Sequence, residues 1–178
     1  MSRNARALRT VLLLTVLMTG AVAGCSSHAP KRGFTVPKAM CGVSVPSDAL
    51  SRLLPESGKD VQVENDPDDA GMCEVTVDGE VVLSAERERI DAGRSAWRII
   101  SYDHRIGQAK SGEGGTIAYV DRAAVSVVQC RAEGTEDEAV STYIRVLKPG
   151  RKDESAMKSL ISGYTAALTK QQPCGQEA

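Results

Sequence analysis

Aromatic side chains are scarce in this chain: one Phe, one Trp and four Tyr make up 3% of it. Phe34, Trp97, Tyr102, Tyr119, Tyr143 and Tyr164 are too scattered to propose a platform on which bases or sugars stack. A basic excess is missing as well, since 22 Lys+Arg stand against 23 Asp+Glu. That balance excludes the cationic footprint on which nucleic-acid binding depends. With so few rings, the core has to come from Val, Ile, Leu and Ala.

The usual equipment of catalysis is thin. Only two histidines occur, His28 and His104, and neither has a visible partner in the sequence. No Gly-x-Ser-x-Gly elbow or His-Glu-x-x-His helix is present, and Ser162-Gly163 falls inside a helical repeat where no elbow forms. Asp66-Pro67-Asp68-Asp69-Ala70-Gly71 starts like a calcium loop. However, Ala70 replaces an oxygen ligand, and Val77 stands where the bidentate glutamate belongs. Ser111-Gly112-Glu113-Gly114-Gly115 lacks a Gly-Lys-Ser/Thr ending and leads into strand-forming residues, so it makes no phosphate cradle. Neither a metal nor a cofactor is expected.

What the chain does carry begins at its N-terminus. Arg3, Arg6 and Arg9 precede an uncharged apolar run, Val11 to Gly24, the pattern of an export signal. The run falls short of the ~20 apolar residues that span a bilayer. Ala21-Val22-Ala23 would suit ordinary secretory cleavage. Val22-Ala23-Gly24-Cys25 also resembles the lipobox of bacterial lipoproteins, and this is the preferred reading. The resemblance implies a diacylglycerol on the Cys25 sulfur and cleavage just before it, anchoring the protein to the outer face of the cell membrane. Two acyl chains hold a protein to a bilayer stably where one does not.

Cysteine number agrees with this reading. Five thiols in an exported chain leave one over, and lipidation of Cys25 accounts for it. Cys41, Cys73, Cys130 and Cys174 remain for two disulfides, as an oxidising compartment favours. Removal of the three signal arginines leaves 19 basic against 23 acidic residues, a net charge of 19 − 23 = −4. The expected organisation is a signal peptide at 1–24, a flexible tether at 25–39 and one domain at 40–178. Lys31, Arg32 and Lys38 in the tether read as solubilising residues more readily than as headgroup contacts.

Within the domain, Pro46-Ser47-Asp48 followed by Leu50, Leu53 and Leu54 predicts a capped short helix that Pro55 stops. A brief strand is expected over Lys59 to Glu64. The surest local feature is a hairpin, Cys73 to Val77 and Glu80 to Leu83, because Asp78-Gly79 is the turn whose residues accept positive φ. Beyond it, Glu86 and Glu88 alternate with Arg87 and Arg89, a pattern that belongs at a projecting end or a sheet edge. Residues 91–103 are assigned to helix with Asp91 as cap, although Trp97 to Tyr102 is rich in strand formers. A polar loop over 107–115, then strands over 116–120, 123–131 and 140–147, lead to a C-terminal helix. Asp153 caps it and Met157, Leu160, Ile161, Tyr164 and Leu168 fall on one face.

The result is an α+β class: an antiparallel sheet of about five strands packed by a short N-terminal helix and a C-terminal amphipathic helix, disulfide-bonded. Cys41 precedes the first helix and Cys174 follows the last, while Cys73 and Cys130 lie on strands. The predicted pairs are therefore Cys41 with Cys174 and Cys73 with Cys130.

Cys-Gly-Val-Ser-Val-Pro at Cys41, Cys-Glu-Val at Cys73, Gly-Gly-Thr-Ile-Ala-Tyr-Val at Gly114, Ala-Val-Ser-Val-Val-Gln-Cys ending at Cys130, and the final Pro-Cys resemble small actinobacterial lipoproteins, streptomycete ones especially. Those families are mostly domains of unknown function, so no catalytic residue transfers. Two functions stay open: a non-catalytic, membrane-anchored module that binds a protein, small molecule or cell-wall component, and an envelope hydrolase or wall-modifying enzyme using dispersed carboxylates such as Glu86, Glu88, Asp103 and Glu113. The second requires those carboxylates to converge in a pocket with raised pKa values.

Overall fold

The computed structural model describes residues 32–66, 69, 71–130 and 137–175. The signal peptide, Cys25 and His28 lie outside the described residues, as do Pro67, Asp68 and Ala70 of the acidic turn.

The chain opens with a two-stranded ribbon, β1 (Ala39–Met40) and β2 (Val43–Ser44), whose turn places Cys41 and Gly42 at positive φ. Helix α1 (Ser47–Leu53) follows. Its N-cap is Pro46, and no side chain caps it, so the expected cap by Ser47 or Asp48 does not form: Ser47 is already helical. Then come β3 (Val61–Asn65), β4 (Met72–Val77) and β5 (Glu80–Asp91). Helix α2 (Ala96–Arg98) runs on into a π turn, Ile99–Asp103. Strands β6 (Lys110–Gly112), β7 (Ile117–Tyr119), β8 (Ala123–Gln129) and β9 (Glu138–Val146) lead to helix α3 (Glu154–Lys170). The larger sheet is antiparallel throughout, with order β3-β4-β5-β9-β8-β7-β6.

The β4–β5 hairpin turns at Asp78 (φ 53°) and Gly79 (φ 82°), the paired left-handed residues of a type I′ turn. Strand β5 is twelve residues long and outlasts β4, pairing with it only as far as Glu86 opposite Met72. Against β9 it pairs to its last residue, Asp91 opposite Glu138. The Glu/Arg segment thus projects on one side and is fully paired on the other. Alternation places Glu86 and Glu88 on the face of Tyr143 and Ser141, with Arg87 and Arg89 on the reverse.

One face of the sheet carries Val75, Leu83, Ala85, Ile117, Ala124 and Ile144, closed over by α1, α3 and Met40. The predicted α3 face is buried, and Asp153 caps the helix by accepting from the Ala156 N–H at 2.9 Å. Gly163 has a packing reason: a Cβ there would stand 2.4 Å from Pro46 Cγ, so only glycine lets the two helices approach this closely. The other face carries a smaller core, Ala118, Val125, Val127 and Ala139 under Ala96, Ile99 and Ile100. Strand β8 is consequently buried on both sides, as its unbroken apolar run suggests.

Four further expectations are corrected. Helix begins at Ala96 and not Asp91, which is still strand; Ser95 is the cap, accepting from the Arg98 N–H at 3.3 Å. The sheet has seven strands against the expected count of about five: each of the six strand segments read from the sequence joins it, and β6 adds a seventh by pairing short polar residues from the expected 107–115 loop with β7. The tether does not extend to 39: Phe34 and Val36 pack on the core, and the Arg32 guanidinium donates to carbonyls at the end of α1.

The disulfides are also different, joining Cys41 to Cys73 and Cys130 to Cys174. Strand order is the reason. β5 and β9 stand between β4 and β8, and three strand spacings of about 4.8 Å alone hold Cys73 and Cys130 at least about 14 Å apart. A disulfide spans a Cα separation below about 7 Å. The observed pairs have Cα atoms 5.9 and 5.5 Å apart.

Candidate binding surface

Helix α2 and its π turn cover only the β7–β8 side of the second sheet face, and at their edge a polar cluster forms. His104 follows the π turn and lies flat on Tyr143 of β9, ring centroids 3.6 Å apart and planes 13° from parallel. Tyr143 is paired with Glu86 across β5–β9. Burial holds the His104 imidazole below the ordinary histidine range, against the pull of Glu86, Asp103 and Glu88, while Arg145 pushes the same way as burial. Burial likewise raises the Tyr143 phenol.

Three of the four carboxylates singled out in the sequence, Glu86, Glu88 and Asp103, therefore share one neighbourhood with His104. The fourth does not: Glu113 lines a separate cleft beside the C-terminal turn of α3. Asp103 is engaged by Arg94 in an ion pair. Among the described residues no group of three His, Cys, Asp or Glu could hold a metal ion, and the four domain cysteines are oxidised. The stack buries one face of the imidazole, which makes His104 a pin for the π turn.

That role has a pH consequence. The unfolded chain binds a proton at His104 near the usual pKa of ~6.5, and the folded chain binds it only at lower pH. The stack's contribution is thus complete above ~6.5 and declines as pH falls through the lowered value. Replacing His104 by Phe is expected to flatten the fall in thermal stability between about pH 7 and pH 5. An unchanged pH profile in H104F would refute the pin.

Farther along the same helix the only tryptophan is 42% exposed and Tyr102 is 65% exposed, the two large hydrophobic side chains that stand out among the described residues. Their rings meet edge to face at 5.9 Å. They are five apart in sequence, and a π turn, which closes i to i+5, brings such residues to one side where an α-helix would separate them. The Arg98 guanidinium lies 5.8 Å from the Tyr102 ring centre, and Arg94 stands beside it. Ala92, Gly93, Arg94, Arg98, Tyr102 and Asp103 line a shallow hollow of about 360 Å³. A larger cleft of about 1030 Å³ lies between β8 and the end of α3, near the Cys130–Cys174 bridge. Sequence reading discounted the rings as scattered. Their five-residue spacing beside two arginines was the available signal.

Comparison with known proteins finds no matching family, no matching curated protein and no matching solved structure.

Proposed function

We propose that this protein is a non-catalytic binding module of the cell envelope, held at the membrane by a diacylglycerol on Cys25. The anchor is supported by the charged-apolar-lipobox order of residues 3–25 and by the cysteine count; no helix among the described residues is long and apolar enough to cross a membrane. Two disulfides suit the oxidising side of the membrane.

The binding role rests on one observation: exposed Trp97 and Tyr102 in ring contact, flanked by Arg94 and Arg98. Trp, Tyr and Arg are the residues that carry most binding energy at recognition surfaces, because they bring large area at low cost in side-chain entropy. A wall-modifying hydrolase is less well supported, since Glu113 stands apart and Asp103 is already paired.

Trp97 is itself the reporter, being the chain's one tryptophan. Titrating the domain with solubilised wall fragments and envelope protein fractions is expected to shift its emission saturably in one of them. Tyr102→Ala should weaken that binding by at least tenfold, about 1.4 kcal/mol, while leaving the melting temperature nearly unchanged. Equal binding by wild type and Y102A would place recognition elsewhere.

A further inference from the structure

Arg32 is the first described residue, and it is clamped. Its Nη1 donates to Ser51 Oγ at 2.6 Å, and its Nε and Nη2 donate to Pro55 O at 3.0 and 2.7 Å. Nη2 also reaches Ser51 O at 2.8 Å and Leu54 O at 3.2 Å, so one guanidinium satisfies the carbonyls left open where α1 ends. The next residue donates its N–H to Gly58 O at 2.7 Å, and Phe34 packs on the core under the Arg32 guanidinium. The chain therefore joins the domain at one fixed point.

Only seven residue steps separate Cys25 from that point. Fully extended, they reach about 25 Å at most. With Cys25 lipidated, this leash is too short for the domain to turn over freely.

The attachment point also selects an end of the molecule. Gly58 abuts Val77 and Asp78 at the β4–β5 turn, and the Asp78 carboxylate accepts from the Lys59 and Asp60 N–H groups at 2.9 Å. Register places Val146 at this same end, opposite Leu83, with Lys148 two residues beyond it; Lys152 pairs there with Asp121, whose neighbour Arg122 accepts from the Val146 N–H. Lys59, Lys148 and Lys152 are exposed there, interspersed with exposed Asp60, Asp78 and Glu80. The opposite end carries Glu88, Asp91 and Glu138, the last in an ion pair with Arg89. Helix α2 starts beyond Asp91, a twelve-residue strand away from the turn, about 40 Å at 3.4 Å per residue.

We infer that the Arg32 clamp and the short leash seat the domain on the bilayer by its Asp78–Gly79 end, with Lys59, Lys148 and Lys152 at the phospholipid phosphates and the Trp97–Tyr102 surface turned outward. This orientation rests on the proposed Cys25 anchor and adds to it which surface meets the lipid.

The test uses the intact lipidated protein, purified from membranes and reconstituted into phosphatidylglycerol–phosphatidylethanolamine vesicles. Lysines are modified with an amine reagent that does not cross the bilayer and quantified by peptide mass spectrometry. Relative to the detergent-solubilised protein, Lys59, Lys148 and Lys152 should react at least fivefold less, with Lys170 unchanged. Arg32→Ala should remove the difference without releasing the protein from vesicles. A second form with about twenty Gly/Ser residues inserted after Ser27 leaves the clamp and the fold untouched, and it too should lose the protection. Uniform labelling of the wild type, or protection that survives the insertion, would overturn the seating. Failure to float with vesicles at all would instead refute the anchor, and the orientation would fall with it.

Discussion

Replacing Cys130 and Cys174 together by Ser is expected to lower the unfolding free energy by about 4 kcal/mol, and replacing Cys41 and Cys73 by nearly as much. The bridges close loops of 44 and 32 residues. Chain entropy then assigns each a value of about 4 kcal/mol, since the unfolded chain gains the freedom that the bridge had denied it. A domain of this size has a total stability of ~5–15 kcal/mol, so one bridge is a large share of it. At about 3 °C per kcal/mol the melting temperature should drop by ~10 °C.

Position makes the two losses different in kind. The Cys41–Cys73 bridge fastens a ribbon of two-residue strands to β4, and such a ribbon has little pairing of its own to hold it. The Cys130–Cys174 bridge ties the end of α3 to the end of β8. Urea denaturation of the two double variants measures both effects, and a change below about 1 kcal/mol in either would contradict the entropic account. Non-reducing peptide mapping should recover Cys41 linked to Cys73; a Cys41–Cys174 peptide would restore the connectivity first predicted from sequence.

The second large effect concerns location. Cys25→Ala should shift the protein from almost wholly membrane-associated to almost wholly released, because the proposed diacylglycerol supplies both acyl chains and each buried methylene contributes about 0.8 kcal/mol. Without the cysteine, Ala21-Val22-Ala23 remains as an ordinary cleavage site, so the variant should appear in the medium beginning at Gly24. Folding should be untouched, as residue 25 lies ahead of the Arg32 clamp. Membrane fractionation and N-terminal sequencing decide the matter, and a C25A protein that stays with the membrane would contradict the lipid anchor.

Local chemistry was the legible part of the sequence. Asp78-Gly79 between alternating runs fixes a hairpin, and Asp153 with five apolar residues at helical spacing fixes α3, because each signal is complete within one segment. Strand order was not legible. That β5 and β9 separate β4 from β8 follows from long-range pairing, and the disulfide connectivity follows from that order. Strand β6 was missed because its three residues are polar or glycine and gain their pairing only from β7.

The site residues divide in the same way. Glu86, Glu88 and Asp103 could be named in advance, but their common neighbour depends on His104 reaching a tyrosine 39 residues away. Arg32 looked like a solubilising cation because its partners are backbone carbonyls, which no side-chain pattern reveals. Trp97 and Tyr102 are brought together by a π turn, a rare element for which sequence gives little warning.

The most direct measurement is the mass of the N-terminal peptide from protein extracted from native membranes. A peptide beginning at Cys25 and heavier by a thioether-linked diacylglycerol is the expected result. The same peptide with an unmodified Cys25 thiol, or one that begins elsewhere, contradicts the anchor and with it the orientation of the domain at the membrane.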